Sequence, residues 1–227
     1  MNKPEQLIFP WTKKSIATFD DFYMDDLNLY AKDALLNNDD LFLYGIAGTG
    51  KSFLLQSLCN HYTDCKKTSL YIPLNEVKEY ESSFLDSLEE LDLICIDEID
   101  SIAKDNNWEV AIFNLINNCL MSNCRLIFCS RLNPSSLNLN LKDLFSRIKK
   151  IDHLELFPIR EHNLKDALKF IIEQRSLEIG DSEIDYLMTH STRSLTNILE
   201  IIDELDQQSL KLKRRITIPL IKELIEN

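Results

Sequence analysis

Gly45-Ile-Ala-Gly-Thr-Gly-Lys-Ser52 has the spacing G-x-x-x-x-G-K-[ST] and stands between two different hydrophobic patterns. Ahead of it, Leu41-Phe-Leu-Tyr44 is a short apolar run of the kind that makes a buried strand. Behind it, Phe53-Leu-Leu-Gln-Ser-Leu-Cys59 carries apolar residues at helical spacing. A glycine loop between strand and helix is the context in which this spacing binds phosphate. Glycines let backbone N–H groups curl around phosphate oxygens, and the helix start turns the positive end of its dipole toward them. The reading assigns Gly45, Gly48, Thr49, Gly50, Lys51, Ser52 and Phe53 to a nucleotide site. Lys51 would reach the β/γ-phosphates, and the Ser52 hydroxyl would hold Mg2+. The alternative is a glycine-rich turn with an accidental lysine, and the agreement of both flanks weighs against it.

A second stretch points the same way. Leu93-Ile-Cys-Ile-Asp-Glu98 is an apolar run that ends in two carboxylates. In a parallel α/β sheet, ligands bind outside the carboxyl ends of the strands. Asp97 is therefore expected beside the loop, where it can help hold the metal through its water shell, and Glu98 is expected to polarise an attacking water. Two solvated acids at a strand end would be the plain alternative. Together the two stretches indicate a P-loop nucleotide-binding core.

The rest of the chain fits a parallel three-layer sheet followed by helices. Lys67–Pro73, Arg125–Ser130 and His153–Phe157 read as further strands, and Phe19–Asn38, Glu76–Leu91 and Trp108–Met121 as helices. In the last of these, Val110, Ile112, Phe113, Ile116 and Leu120 are expected to form one buried face. Strands stop after Pro158, and 163–176, 182–190, 194–213 and 218–225 read as helices. The expected division is a tail over 1–17, an α/β domain over 18–158 and a helical domain over 159–227.

With 227 residues and a net charge of -12, the chain can bury a good core, while its average field repels duplex DNA. Its six cysteines form no C-x-x-C and read as reduced core thiols. The start lacks the apolar core of a signal peptide, and no run approaches the ~20 apolar residues of a membrane span. The expectation is a cytoplasmic protein without a membrane partner. The four histidines lack ligand spacing.

A nucleotide core followed by a small helical lid resembles the AAA+ ATPases. Thr18-Phe-Asp-Asp-Phe22, Leu41–Gly45, Ile127-Phe-Cys-Ser-Arg-Leu-Asn-Pro134 and Leu144-Phe-Ser-Arg147 resemble the nucleotide-binding core of the DnaA family. Trp108-Glu-Val-Ala-Ile-Phe-Asn-Leu115 and Thr217-Ile-Pro-Leu-Ile-Lys-Glu223 are more similar still to its Hda branch, the regulatory inactivators. The resemblance spans nearly the whole chain, which ends at the lid without a helix-turn-helix domain. It implies ADP or ATP with Mg2+ as cofactors, and DnaA and the sliding clamp of DNA polymerase III as partners, with a homo-oligomer possible.

The same resemblance gives further residues their roles. Gln6-Leu-Ile-Phe-Pro10 resembles a short clamp-binding peptide, in which the Gln6 amide bonds at a pocket rim while Leu7 and Phe9 fill it. A tail packed on its own domain is the other reading. Arg147 is implied as an arginine finger acting in trans on the ATP of DnaA, against local pairing with Asp143. Arg193 matches the lid arginine that contacts phosphate, against a surface charge at a helix start. One position departs from the family: Arg131 falls at or next to a place usually held by a short acidic or polar residue that orients water, which puts the chain's own hydrolysis in question. Lys211-Leu-Lys-Arg-Arg215 is the only dense basic run and reads as a solvated helix end.

The expected function is negative regulation of replication initiation by promoting hydrolysis of DnaA-bound ATP. The alternatives are a DnaA-like adaptor or loader for another replication partner and a single-stranded-DNA remodeler, which the acidic balance disfavours. Removing residues 1–10 should abolish binding to the sliding clamp in a calorimetric titration without lowering the thermal midpoint. Unchanged affinity would rule out docking through the tail.

Overall fold

The computed structural model describes residues 17–225, apart from residues 193 and 213. Five strands make one sheet: β1 (Leu41–Tyr44), β2 (Ser69–Pro73), β3 (Leu93–Asp97), β4 (Arg125–Ser130) and β5 (Asp152–Glu155). Every pair is parallel and the order is β2-β3-β4-β1-β5. Helices α1 (Tyr30–Leu36), α2 (Lys51–Asp64), α3 (Leu74–Val77), α4 (Asn106–Met121) and α5 (Lys142–Ile148) alternate with the strands. Side chains of a strand alternate between faces. Phe42, Ile94, Ile96, Leu126 and Phe128 therefore share one face, where they form a buried core with Ile112 and Leu115 of α4 and Leu144 and Ile148 of α5. The intervening Leu43, Leu93, Cys95, Ile127 and Cys129 are just as buried on the other face, the side of Leu54, Leu55 and Leu58 of α2. The expected three-layer α/β sheet is present.

Three local expectations do not hold. The stretch 19–38 is not one helix but two 3-10 turns, Phe19–Asp21 and Asp26–Asn28, ahead of the short α1. Tertiary bonds override the helical pattern there: the Asn28 amide donates to Phe157 O at 2.9 Å and its oxygen accepts the Phe157 N–H at 2.9 Å. The stretch 76–91 breaks into α3 and the 3-10 turns Ser82–Leu85 and Leu88–Glu90. Ser87 adopts a left-handed φ of 67° between those turns, and Phe84 leaves the helical path to meet the Trp108 ring edge-on at 5.8 Å. On α4, Val110 and Leu120 lie exposed, and the buried stripe is Trp108, Ile112, Leu115, Ile116 and Cys119, joined by Glu109.

The chain divides into two compact units. The sheet unit takes residues 17–19 and Asn28–Phe157, and the second unit takes Asp20–Leu27 with the residues from Pro158 onward. The short Asp20–Leu27 stretch thus leaves the α/β domain in which the sequence reading had put it. In the second unit, α6 (Leu164–Gln174), α7 (Asp181–His190), α8 (Leu195–Leu212) and α9 (Ile218–Ile225) close around Leu168, Leu187, Ile198, Leu205 and Ile221. Asp25 anchors the stray stretch to them. Its buried carboxylate accepts the Arg160 N–H, the Arg160 Nε–H and the Asn163 amide, each at 3.1 Å. Tyr23 meets Phe170 edge-on at 5.8 Å. Among the described residues no helix is long and apolar enough to cross a membrane.

Burial pushes the Asp25 carboxyl up, but the donors from Arg160 and Asn163 outweigh it and hold the group at about 2. A carboxylate lowered by folding contributes stability above its unfolded pKa, and that contribution fades as pH falls through the folded one. The margin by which the unaltered chain exceeds Asp25→Asn in urea denaturation should therefore be full at pH 7 and shrink between about pH 4 and pH 2. A margin that does not change with pH would contradict this account.

Candidate functional site

The site is assembled at the C-terminal edge of the sheet, where β1, β3 and β4 end. β4 lies between the other two, pairing Tyr44 with Ser130 on one side and Ile96 with Phe128 on the other. The ladders continue beyond the strands: Gly45 N–H donates to Ser130 O at 3.3 Å and Leu156 N–H to Tyr44 O at 2.7 Å. Gly45 is glycine for a plain steric reason. A Cβ there would stand 2.2 Å from Leu156 O, on a backbone with φ of 157°. Gly48 and Gly50, with φ of 80° and 87°, turn the loop back toward the sheet, and α2 begins at Lys51 without a side-chain cap.

Lys51 folds over its own loop. Its ammonium donates to Gly45 O at 2.7 Å, Ile46 O at 2.8 Å and Thr49 Oγ1 at 3.3 Å, while Thr49 Oγ1 donates to Ile46 O at 3.1 Å. Burial pulls the lysine below its ordinary value. Ser52 and Phe53 occupy the first turn of α2, with Ser52 exposed and Phe53 half-buried. The uncapped N–H groups of α2, the left-handed glycines and a buried ammonium form a donor set that fits a polyphosphate.

Asp97 is buried at the tip of β3, 2 % exposed. Its carboxylate accepts the Glu98 N–H at 2.8 Å and the Tyr71 hydroxyl at 2.8 Å. Ser52 and Gln56 act on the same phenol in the opposite sense to Asp97, lowering its pKa, so Tyr71 feels both expected metal ligands, Ser52 and Asp97. Burial first, and the Asp97 charge second, push the Tyr71 phenol well above its usual range. Burial first, and the Asp97 charge second, also drive up the pKa of the buried Cys129 thiol. A hydroxyl and a carboxylate are hard oxygen ligands of the kind Mg2+ takes.

Glu98 adopts a left-handed φ of 55°, which turns its side chain off the strand line. Its carboxyl is raised, by burial first and by the neighbouring Asp97 second. Arg131 faces this acid: Arg131 Nη2 lies 3.8 Å from Glu98 Oε1, and Nε lies 3.3 Å from Asp100 Oδ2. Asp100 Oδ1 also accepts the Ser130 hydroxyl at 2.9 Å and the Arg131 N–H at 3.1 Å. A guanidinium held between two acids competes with water for Glu98.

Arg147 is on α5, away from this cluster in sequence. The helix buries Leu144 and Ile148 and leaves Arg147 exposed, without an ion pair to Asp143 or to any other described residue. The structure thus brings together Gly45, Gly48, Thr49, Gly50, Lys51, Ser52, Asp97 and Glu98, while Arg147 stands apart on a surface helix. Gln6, Leu7, Phe9 and Arg193 lie outside the described residues. Sequence reasoning missed Tyr71, Asp100, Ser130 and Cys129. Of these, only Tyr71 left a signal, a polar-tipped aromatic near the end of an apolar strand.

Comparison with known proteins agrees with this geometry. Residues 17–151 match the bacterial DnaA ATPase domain family, and residues 161–225 match the Hda lid domain. An uncharacterized protein of Haemophilus influenzae is 32% identical over 232 residues, covering 99% of this chain and 99% of its own. Domain III of the replication initiation protein DnaA from Thermotoga maritima superposes with a TM-score of 0.77 at 21% identity, covering 92% of this chain and 95% of that one. AMPPCP-bound DnaA from Aquifex aeolicus superposes with a TM-score of 0.70 at 21% identity, over 84% of this chain and 64% of that one. These likenesses identify the fold as that of an AAA+ core with a helical lid.

Replacing Gly45 by alanine should destabilise the sheet unit by about 1–3 kcal/mol, as overpacking against an immovable backbone carbonyl does. Urea denaturation without nucleotide reads this directly, and an unchanged midpoint would mean that Leu156 can give way.

Proposed function

The chain belongs to the bacterial DnaA ATPase family and carries an Hda-type lid, and from this we propose that it regulates replication initiation by promoting hydrolysis of ATP bound to DnaA. The observation that carries the reading is Arg147: an exposed guanidinium on α5 without an ion pair among the described residues. A cation without an ion pair among the described residues is suited to another molecule's phosphates. Charge spread over the γ-phosphoryl oxygens during transfer is met well by one such arginine, which is worth ~10³–10⁵ in rate.

The chain's own site is read as a nucleotide holder. Gly45, Gly48, Thr49, Gly50, Lys51, Ser52 and Phe53 would bind ADP or ATP, and Arg193 would contact it from the lid. Ser52 and Asp97 would hold Mg2+, whose chemistry is to neutralise phosphate charge. Glu98 is the acid that would polarise water, and the guanidinium of Arg131 close to it supports slow turnover in cis. The tail residues Gln6, Leu7 and Phe9 would hold the protein on the DNA-loaded sliding clamp. Fully burying Leu7 and Phe9 in a clamp pocket contributes ~1.5–3 kcal/mol each before the tail is ordered.

Arg147→Ala should remove the stimulation of DnaA-bound ATP hydrolysis in a single-turnover assay, a loss on the order of 10³-fold or more, while ADP affinity stays as it was. Full stimulation by the variant would overturn the assignment. Loss of stimulation and ADP binding together would mean that the fold was damaged.

A further inference from the structure

Outside the nucleotide site, Glu109 joins Asp25 as a fully buried acid among the described residues. Glu109 lies near the start of α4, 0 % exposed, on the helix face otherwise filled by Trp108, Ile112 and Leu115. Its carboxylate is filled by backbone N–H groups. Oε1 accepts the Lys104 N–H at 2.7 Å and the Asn140 N–H at 3.1 Å, and Oε2 accepts the Leu141 N–H at 2.6 Å. Asn140 tightens the same junction, its amide donating to Asn106 Oδ1 at 3.0 Å and to Lys104 O at 3.4 Å.

Leu141 is the residue from which α5 starts, and its own side chain gives the helix no cap. A seven-residue helix has too few internal hydrogen bonds to hold itself in water, so its direction is set by what grips its ends and inner face. Leu144 and Ile148 grip the inner face. Glu109 grips the start. An ionised carboxylate is unfavourable in an apolar core unless its lone pairs are filled, and charge-assisted bonds to N–H groups are short and directional. Three donors on two oxygens fix where residues 140 and 141 lie, and hence the line along which Arg147 projects.

We propose that Glu109 is a positioning residue for Arg147: its carboxylate pins the start of α5 so that the guanidinium meets the partner's phosphates in the productive geometry. The inference rests on reading Arg147 as acting in trans. Glutamine cannot substitute, because one of its two positions carries N–H groups that would oppose the backbone N–H groups of this junction. A leucine, which the surrounding core would otherwise favour, leaves all three N–H groups unsatisfied.

The test is single-turnover hydrolysis of ATP preloaded on DnaA, with the full chain titrated in. Glu109→Gln should lower the saturating rate by about 10–100-fold, the effect of displacing a catalytic group by roughly an ångström. The concentration giving half the effect and the affinity for a fluorescent ADP analogue should not move. Amide exchange should quicken over residues 140–148 and stay slow in β1 and β3. Leu141→Pro is the second variant: its φ of -79° suits proline, and the change deletes one of the three donors and sets the ring Cδ where Oε2 now accepts, so the carboxylate loses its hold on the start of α5 with Glu109 itself unaltered. It should reproduce the loss of saturating rate. Full saturating rate in either variant, with Arg147→Ala inactive, overturns the inference alone. A parallel fall in rate, ADP affinity and strand protection in both variants also overturns it, since that would be a general structural role. No stimulation by the unaltered chain overturns the trans reading and this inference with it.

Discussion

The parallel pairing of β4 with both β1 and β3 is the constraint on which the site depends. Strands in a sheet stand ~4.8 Å apart, so an interposed strand separates the phosphate loop after β1 from Asp97 at the end of β3 by two strand spacings. That gap is the room between Lys51 and Asp97, and the tip of β4 lines it. Cys129 sets a buried thiol in the field of Asp97, Ser130 gives a hydroxyl to Asp100, and Arg131 places a cation between Asp100 and Glu98. The character of the site is thus set as much by the middle strand as by the two stretches that announce it.

Irregular stretches of both units are held by buried or half-buried charged groups that bond to backbone and side chains across the fold. Arg125 is 5 % exposed and donates to Leu35 O and Asp39 O, each at 2.7 Å, which caps the carbonyl end of α1. Asp40 accepts the Leu126 N–H at 2.7 Å, and burial raises its carboxyl despite that bond. Asp25 and Glu109 do the same for the 20–27 stretch and for the start of α5. Hydrogen bonds to charged groups contribute ~1.5–3 kcal/mol each, more than the small propensity differences that favoured one longer helix over 19–38. This is why short turns and a short helix occupy that stretch.

Charge is distributed in a way that the total conceals. The chain carries -12 overall, yet Lys142, Arg147, Lys149 and Lys150 are all exposed on or just after α5. Screening confines a charge's reach to ~8 Å at physiological ionic strength, so a partner meeting this helix feels its local positive field rather than the distant acids. A basic corner on an acidic protein suits contact with an anionic group, which agrees with the proposed regulator.

By itself the sequence determined the phosphate loop, the acidic strand end, the alternation of strands and helices and the helical character of the residues after Pro158. Those features are local: a glycine spacing or a hydrophobic period is read over a handful of residues, and the chain obeys it because backbone geometry and burial leave few alternatives. Only tertiary structure decided that β4 separates Lys51 from Asp97, that the Tyr71 hydroxyl bonds to Asp97, and that Asp20–Leu27 joins the second unit. It also decided that Glu109, which looks like an ordinary surface acid on an amphipathic helix, points inward. Each of these depends on a hydrogen bond between residues far apart in sequence, such as the Glu109 carboxylate and the Leu141 N–H. Such a bond leaves no periodic trace in the chain, because its energy comes from satisfying a buried polar group that is buried only once the fold exists.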